Sequence, residues 1–172
     1  FLTVEEIQAI RDGYIYIHDM SARRDTMNCC LFDVQNVLSG GFEMGNLWYN
    51  EPKTLDTAFD VIGDIVLSAA SQQYGGFTVP SVDEILEPYA KKSHRRLIQK
   101  YRDLGLAEDR VQEVAWADLE REMEQGFQGW EYKFNTVASS RGDYPFITVT
   151  AGIGTGRFAK LASICMLNVR RK

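Results

Sequence analysis

Two adjacent cysteines, Cys29 and Cys30, are the residues of this sequence with the clearest capacity for chemistry. The S–H bond of a cysteine is weak enough to pass a hydrogen atom to and from a substrate carbon, as radical reactions require. Adjacent cysteines rarely bond to each other and no CxxC spacing accompanies them, so neither a local disulfide nor a zinc site is expected. Free cysteines are also common in protein cores, so a pair of structural thiols remains the alternative interpretation.

His18 and Asp19 form a second candidate site. They follow Tyr14–Ile17, where alternating aromatic and β-branched residues predict a strand. A histidine and a carboxylate at a strand end can orient a substrate hydroxyl or transfer protons. A hydrogen-bonded pair that anchors the following loop explains the same residues equally well.

A glycine-rich loop contains Gly152, Gly154 and Gly156, between a predicted strand and a predicted helix. Backbone amides at a helix N-terminus can bind phosphate in that setting. The pattern matches neither GxGxxG nor a Walker motif, so a tight turn is an equally good interpretation.

The basic run 91–96, which includes His94, is expected to be a solvated helix face, with a phosphate contact as the alternative. Cys165 lies on the apolar face of the last predicted helix and is expected in the core.

The elements that would position these residues are mainly helical. Thr3 begins a capping box for a first helix that Gly13 can end, and Ser81 with Glu84 forms a second box. Helical spacing of apolar residues predicts longer helices over 54–72, 81–103, 107–135 and 158–170, a strand over 145–150 and a loop from Gly40 to Pro52. Strands separated by long helices indicate a helix-rich α/β or α+β domain, and the few strands suit part of a larger barrel.

The composition limits the classes of function. The chain has 172 residues, 45% hydrophobic and 25% charged, with a net charge of −5, which suits one globular region and gives no electrostatic footprint for nucleic acid. No apolar run reaches the length of a membrane span, and the first residues do not form a signal peptide. Three oddly spaced cysteines favour reduced thiols in a cytoplasmic protein. The chain begins without Met and ends in a basic run, so we interpret it as an excerpt of a longer protein.

An ordered set of motifs resembles the catalytic subunits of anaerobic, class III (glycyl-radical) ribonucleoside-triphosphate reductases. The set covers the chain from about residue 12 onwards, and the order and spacing of its members carry the resemblance. Its members are His18-Asp19, Asn28-Cys29-Cys30-Leu31-Phe32-Asp33, Gly41-Phe42-Glu43-Met44-Gly45-Asn46, Pro52-Lys53, Tyr74-Gly75-Gly76, Asp83-Glu84-Ile85-Leu86-Glu87-Pro88, Asn135-Thr136, Pro145-Phe146-Ile147-Thr148 and Gly152-Ile153-Gly154-Thr155-Gly156.

The resemblance implies roles for individual residues. It aligns Cys29 with the cysteine that becomes a thiyl radical and abstracts the ribose 3′ hydrogen, and it leaves Cys30 as a packing residue. Asn28 is expected to hydrogen-bond the substrate, and His18 to lie near the ribose. The weaker substrate-binding candidates are Asp19, Gly154 and Thr155.

The resemblance also implies cofactors. The radical would come from a glycyl-radical domain outside this chain, generated by an S-adenosylmethionine and iron–sulfur activase, and no metal site is expected within the chain. Members that use formate often have a His-x-His-Asp segment. Tyr16 stands at the first of these histidines, so formate and a dithiol are both retained as reductants.

Partners and regulation follow from the same resemblance. It implies the N-terminal part of a ten-stranded α/β barrel, a homodimer, ribonucleoside triphosphate substrates, and ATP or deoxynucleoside triphosphate effectors. The effector-binding candidates are Lys53, Gly45, Arg95 and Arg96. The loop 151–156 is expected between effector and substrate, and a regulatory ATP module is expected to be absent from this chain. A formate-lyase type of glycyl-radical enzyme and a non-catalytic nucleotide-binding dimer module remain the alternatives.

Overall fold

The computed structural model describes residues 2–17, 28–73, 75–136 and 146–172. In chain order its elements are α1 (Val4–Arg11), β1 (Cys30–Leu31), α2 (Val34–Leu38), β2 (Phe42–Met44), β3 (Leu47–Tyr49), α3 (Leu55–Ala70), β4 (Phe77–Val79), α4 (Val82–Asp103), α5 (Glu108–Thr136), β5 (Ile147–Val149) and α6 (Arg157–Arg171). The four long predicted helices are confirmed as α3 to α6, with only small shifts at their ends.

Three strands form a small parallel sheet in the order β1-β4-β5. Cys30 lies opposite Phe77, and Phe77 lies opposite Ile147. Parallel strands need long crossover connections. Here α3 lies in the first crossover, and α4 and α5 lie in the second. The described chain is therefore a helix-rich α/β structure, and none of its described helices is long and apolar enough to cross a membrane.

The four long helices pack against one another, and aromatic side chains lie at the contact between α3 and α5. Phe59 on α3 meets the rings of Phe127 and Trp130 on α5 edge to face, with centroid separations of 5.0 and 4.8 Å. The Trp130 indole N–H also donates to the Phe59 carbonyl at 2.8 Å. A Cβ built on Gly126 would approach the Phe59 ring to 2.2 Å, so the glycine lets α3 and α5 come close together. Cys165 on α6 is fully buried in the same core, as predicted.

The strand predicted at Tyr14–Ile17 is wrong. These residues belong to no β ladder in the described part of the chain, and the Tyr14 N–H donates back to the Ala9 carbonyl at 2.9 Å. Tyr14 and Tyr16 are 84% and 85% exposed, and Ile15 and Ile17 are exposed as well. The alternation therefore faces no core on either side. The alternating pattern is typical of a strand. A strand also needs a partner strand and a surface to pack against, and the pattern cannot show either.

A β-hairpin occupies most of the segment that was predicted to be a loop. β2 and β3 pair antiparallel, with Phe42 opposite Tyr49 and their rings stacked at 5.1 Å. Gly45 begins the two-residue turn with a φ of 65°, as the tight turns of hairpins require. The Gly45-Asn46 pair between apolar residues was the sequence signal for this hairpin.

The two predicted capping boxes have different outcomes. The box of Thr3 and Glu6 is confirmed, with both reciprocal hydrogen bonds present. The box at Ser81 is wrong, although α4 does start there. Ser81 has a left-handed backbone with a φ of 51° and makes no side-chain cap bond. Its N–H instead donates to Thr150 Oγ1 at 2.9 Å, and this bond links the start of α4 to the end of β5.

Candidate active site

Asn28 and Cys29 lie at the amino end of β1, beside the residues that precede β4. The Gly75 N–H donates to the Asn28 carbonyl at 2.6 Å, and the Gly76 N–H donates to Cys29 Sγ at 3.2 Å. The Cys30 N–H donates back to the Gly76 carbonyl at 3.0 Å. Cys29 is exposed. Backbone groups thus hold the thiol at the amino end of the sheet. The described residues do not shield it from solvent, as the interior of a barrel would.

Cys30 lies in a different environment from its neighbour. Cys29 precedes β1, whereas Cys30 is the first residue of that strand. Cys30 is half-buried against the core, and its Sγ accepts a hydrogen bond from Gln73 Nε2 at 2.9 Å. All three cysteines are free thiols. Cys30 is therefore a packing residue in this fold, and Cys29 is the thiol that a substrate could reach.

The glycine-rich loop lies at the opposite, carboxyl end of the sheet, where an acidic side chain holds it. Asp83 Oδ2 accepts hydrogen bonds from the Gly152 N–H at 3.0 Å and from the Gly154 N–H at 2.8 Å. Asp83 is fully buried, and its Oδ1 has no hydrogen-bond partner among the described residues. The amides that a phosphate would need therefore already bind a carboxylate of the same chain.

A second acidic side chain reaches the end of this loop. A Cβ built on Gly156 would come within 2.2 Å of Glu87 Oε1, so the Glu87 carboxylate would have to move for a larger residue to fit. Lys91 Nζ lies 3.0 Å from the same oxygen. Thr155 is exposed between these contacts. Because Asp83 accepts from the Gly152 and Gly154 N–H groups, a phosphate would have to displace this carboxylate to bind the loop amides in this conformation.

The structure does not bring the predicted substrate-binding residues together. Cys29 precedes β1, whereas Gly154 and Thr155 follow β5. The strands of the sheet span about three residues, so its two ends lie about 10 Å apart at about 3.3 Å per residue. The thiol and the glycine loop therefore cannot contact the same atom of a substrate.

The N-terminus of α3, beside the predicted effector region, has its amides occupied. Ser93 Oγ accepts from the Leu55 N–H at 2.8 Å, and Glu122 Oε1 accepts from the Asp56 N–H at 3.2 Å. Arg96 lies 3.6 Å from the other Glu122 oxygen. A phosphate at this helix end would have to displace the Glu122 carboxylate.

The other effector candidates lie on separate elements: Lys53 just before α3, Gly45 in the hairpin and Arg95 on α4. Lys53 and Arg95 are exposed, and Gly45 lies in the hairpin turn. Lys92 bonds Glu51 at 2.7 Å, and this hydrogen bond and the lysine charge hold the pKa of Glu51 below its usual value. The cations here thus include both exposed and carboxylate-paired side chains.

The solvated interpretation of the basic run 91–96 is wrong for His94. His94 is buried, and its ring packs edge to face against Trp116 and Phe158 with centroid separations of 5.7 and 5.4 Å. Its Nε2 has no hydrogen-bond partner in the part of the chain that the structure describes. Burial, followed by the nearby Arg157 charge, lowers the pKa of His94.

Several predicted site residues lie outside the described residues, namely His18, Asp19, Tyr74 and Pro145. Among the residues that are described, no group of three or more potential ligands could hold a metal ion.

The sequence predicted no role for Gly75. For Asp83 it predicted only a position inside the capping box of Ser81 and Glu84. A Gly-Gly pair before a buried strand was the available signal for Gly75. For Asp83 the signal was its position on the apolar face of α4, one turn before Leu86 and two turns before Ala90.

A groove of about 400 Å³ opens beside β5, on the side away from β4. Its walls include Trp130 and Phe134 of α5, Ile147 and Val149 of β5, and Met166 of α6. Within the described chain, β5 has no strand on this side. The groove therefore combines an open strand edge with a mixed lining, since Glu131, Asn135 and Arg170 line it as well.

The chain is similar to proteins of known family along nearly its whole length. A family model described as "Anaerobic ribonucleoside-triphosphate reductase" matches residues 1–170. The protein of that name from Enterobacteria phage T4 is 33% identical over 168 residues, which are 96% of this chain and 27% of that protein. Proteins of the same name from Haemophilus influenzae and Escherichia coli are 34% and 31% identical over 166 residues, 95% of this chain and 23% of each relative. The chain thus spans about a quarter of the length of these relatives.

Proposed function

The chain belongs to the anaerobic ribonucleoside-triphosphate reductase family, and from this premise we propose that the whole protein reduces ribonucleoside triphosphates to deoxyribonucleoside triphosphates. The observation that carries the proposal for this region is the accessible thiol of Cys29, held at the sheet edge by the Gly76 N–H. The net reaction replaces the ribose 2′ hydroxyl with hydrogen and releases water. It consumes two electrons and two protons, which formate or a dithiol would supply.

Cys29 is the thiol of this region that takes part in the chemistry. In the role that the resemblance implies, its thiyl form abstracts the 3′ hydrogen, the 2′ hydroxyl leaves as water, and the hydrogen returns after reduction. The one-electron oxidation of this thiol would come from a glycyl radical outside these residues, made by an S-adenosylmethionine and iron–sulfur activase. Cys30 takes no part, since it faces the helix layer.

One contact favours a second role for Cys29 within the same reaction. The Gly76 N–H donates to the Cys29 sulfur, and such a bond stabilises negative charge on the sulfur more than a neutral radical. A thiol that supplies electrons to the substrate and ends in a disulfide passes through charged forms. Cys29 would then be the reducing thiol, and another cysteine of the whole protein would abstract the hydrogen.

Asn28 and His18 are proposed to hold the ribose near Cys29, with Asp19 beside them. Asn28 is the neighbour of the thiol at the same sheet edge, which supports its part in this proposal. The Gly154 N–H could bind substrate only if the loop rearranged, because Asp83 accepts its hydrogen bond, whereas Thr155 is exposed. Both residues lie at the end of the sheet opposite Cys29. We therefore assign them to the far end of the substrate or to the path between effector and substrate.

The fold proposed for the whole protein is the ten-stranded α/β barrel, to which this region contributes β1, β4 and β5. The parallel order of these strands supports this proposal. So does the edge of β5 beside the groove, which has no strand partner among the described residues. Additional strands would also enclose Cys29, which the described residues leave exposed.

Regulation is proposed at the end of α3. Deoxynucleoside triphosphates or ATP would bind near Gly45, Lys53, Arg95 and Arg96 in a homodimer. The exposed Lys53 and Arg95 support this placement, and Glu122 would have to release the N-terminus of α3 or share it with a phosphate.

Adjacent cysteine variants test the proposed function. In the full-length protein, activated without oxygen, Cys29→Ala is expected to abolish deoxynucleotide formation, whereas Cys30→Ala retains most of it. Circular dichroism of both variants controls for folding. Equal loss from the two variants, or no loss from either, would contradict the assignment of Cys29.

A substrate labelled with deuterium at C3′ separates the two roles of Cys29. If Cys29 abstracts the hydrogen, Cys29→Ala leaves the label in place and the nucleotide intact. If Cys29 is the reducing thiol, the variant still breaks the C3′–hydrogen bond, and the oxidised sugar then loses its base without forming a deoxynucleotide. Mass spectrometry of the recovered nucleotide and chromatography of the free base report the two outcomes.

A further inference from the structure

Gly75 and Gly76 lie directly against the candidate thiol, but they meet it differently. The Gly75 N–H donates to the Asn28 carbonyl at 2.6 Å, and the Gly76 N–H donates to Cys29 Sγ at 3.2 Å. Neither glycine has a φ in the left-handed region, so the backbone alone does not require glycine at either position. The space around each residue decides whether a side chain is tolerated.

The space differs sharply between the two positions. A Cβ built on Gly75 would lie 2.5 Å from the Asn28 carbonyl oxygen, 2.5 Å from Asn28 Oδ1 and 2.5 Å from Cys29 Sγ. Carbon and sulfur atoms cannot approach so closely, so the thiol and the backbone before it would have to move. A Cβ on Gly76 would meet only the Phe146 carbonyl oxygen, at 3.9 Å, which is an ordinary contact. The two neighbouring glycines therefore form a natural matched pair.

We propose that Gly75 is a positioning residue for the Cys29 thiol: its missing side chain leaves the space in which Sγ sits, within reach of the Gly76 N–H. This inference rests on the proposed function of Cys29. It names a residue that acts on the reaction through the thiol and does not itself touch the substrate.

The effect on catalysis follows from the distances that hydrogen transfer requires. The reacting sulfur must lie close to one ribose carbon, and a misplacement of about 1 Å can lower a rate by about 10²-fold. A methyl group on Gly75 would force a displacement of this order, since the overlap lies well inside contact distance. Nucleotide binding elsewhere in the protein would not change, so kcat should fall while KM stays nearly constant.

The simpler alternative is that Gly75 serves only the fold, by letting β1 and β4 start side by side. On that view a methyl group would lower the amount of folded protein and its stability. The kcat of each folded molecule and the reactivity of its thiol would then stay the same. The two explanations therefore predict different results for the same variant.

The test compares Gly75→Ala with Gly76→Ala in the full-length, anaerobically activated protein. We expect Gly75→Ala to lower kcat by about 10²-fold with little change in KM. Gly76→Ala retains the backbone N–H that bonds Cys29 and is expected to lower kcat far less. In a Cys30→Ala background without activation, Gly75→Ala should also change the rate of Cys29 alkylation by iodoacetamide severalfold, and Gly76→Ala should not. Equal kcat values and equal alkylation rates in the two glycine variants would overturn the proposal.

The design separates this inference from the function on which it rests. If Cys29→Ala keeps full activity, the proposed function fails, while the alkylation comparison still decides whether Gly75 positions the thiol. If Gly75→Ala does not fold, the Cys29→Ala/Gly75→Ala double variant replaces it. Because the Asn28 oxygens would still crowd the methyl group, only part of the folding should return when the sulfur is removed. A higher yield of folded double variant than of Gly75→Ala supports the proposal, and an equal yield overturns it.

Discussion

Replacing Asp83 with alanine is expected to release the glycine-rich loop from the start of α4. Asp83 is the fully buried carboxylate whose Oδ2 accepts both the Gly152 and Gly154 N–H groups. Its other oxygen has no partner among the described residues, so these two bonds are its visible contribution to the structure. Glu84, the next residue, is exposed and provides the matched control.

The structure sets the size of the effect. Hydrogen bonds to a charged group contribute about 1.5–3 kcal/mol each, which puts the upper limit for two bonds near 6 kcal/mol. Gly152 is exposed and Gly154 is half-buried, so water can replace part of the loss when the carboxylate is removed. We therefore expect Asp83→Ala to weaken the loop by about 3 kcal/mol. Asp83→Asn keeps an acceptor but loses the charge, and should cost about half as much.

Hydrogen exchange measured by mass spectrometry reports this loop directly in the full-length protein, without requiring two-state unfolding. A loss of about 3 kcal/mol corresponds to roughly 10²-fold faster exchange of the Gly152 and Gly154 amides. Protection of the loop amides is expected to be highest in Glu84→Ala, intermediate in Asp83→Asn and lowest in Asp83→Ala. Equal protection in Asp83→Ala and Glu84→Ala would refute the conclusion that the carboxylate holds the loop.

Three further predictions follow. Burial lowers the pKa of His94 in the folded protein. The contribution of His94 to stability is therefore complete above its unfolded pKa of about 6.5 and is lost as the pH falls towards the folded pKa. Hydrogen exchange should show α6 losing protection between about pH 7.5 and 5.5, and His94→Phe should make this loss smaller. Peptide mass spectrometry should show that iodoacetamide modifies Cys29 in the native protein and Cys165 only after unfolding. Cys29 is exposed, whereas burial, followed by nearby acidic charges, raises the pKa of Cys165 to about 12. Gly126→Ala should destabilise the α3–α5 contact by about 1–3 kcal/mol through overpacking, whereas Gly129→Ala, where a Cβ meets nothing within 4 Å, should be neutral or stabilising in thermal unfolding.

The sequence predicted the helices well because their evidence is local. Apolar spacing and breaks such as Gly105 specify α3 to α6 within a few residues of their ends. The strand predicted at Tyr14–Ile17 failed because alternation cannot show whether a partner strand is present. The hairpin was missed although Gly45-Asn46 signalled it, because the strands on either side are only three residues long.

The candidate site was predictable only in part, for a related reason. The chemistry of Cys29 depends on residue type and motif order, which the sequence shows. Gly75 and Asp83 act through contacts with residues far away along the chain, and neither contact can be inferred from local pattern. Phosphate binding by the glycine-rich loop stayed a possible prediction from the sequence. The sequence cannot show that the buried Asp83 carboxylate already accepts hydrogen bonds from the loop amides.

The long connections of the parallel sheet bear on the order in which the protein folds. Cys30 pairs with Phe77, and Phe77 pairs with Ile147, so each ladder closes a loop that contains at least one long helix. Chain entropy opposes such closures until many other contacts have formed. We therefore expect α4 and α5, which only four residues separate, to assemble first and β1 to join last. The thiol would then reach its final position only at the end of folding, and it would lose that position first when the protein begins to unfold.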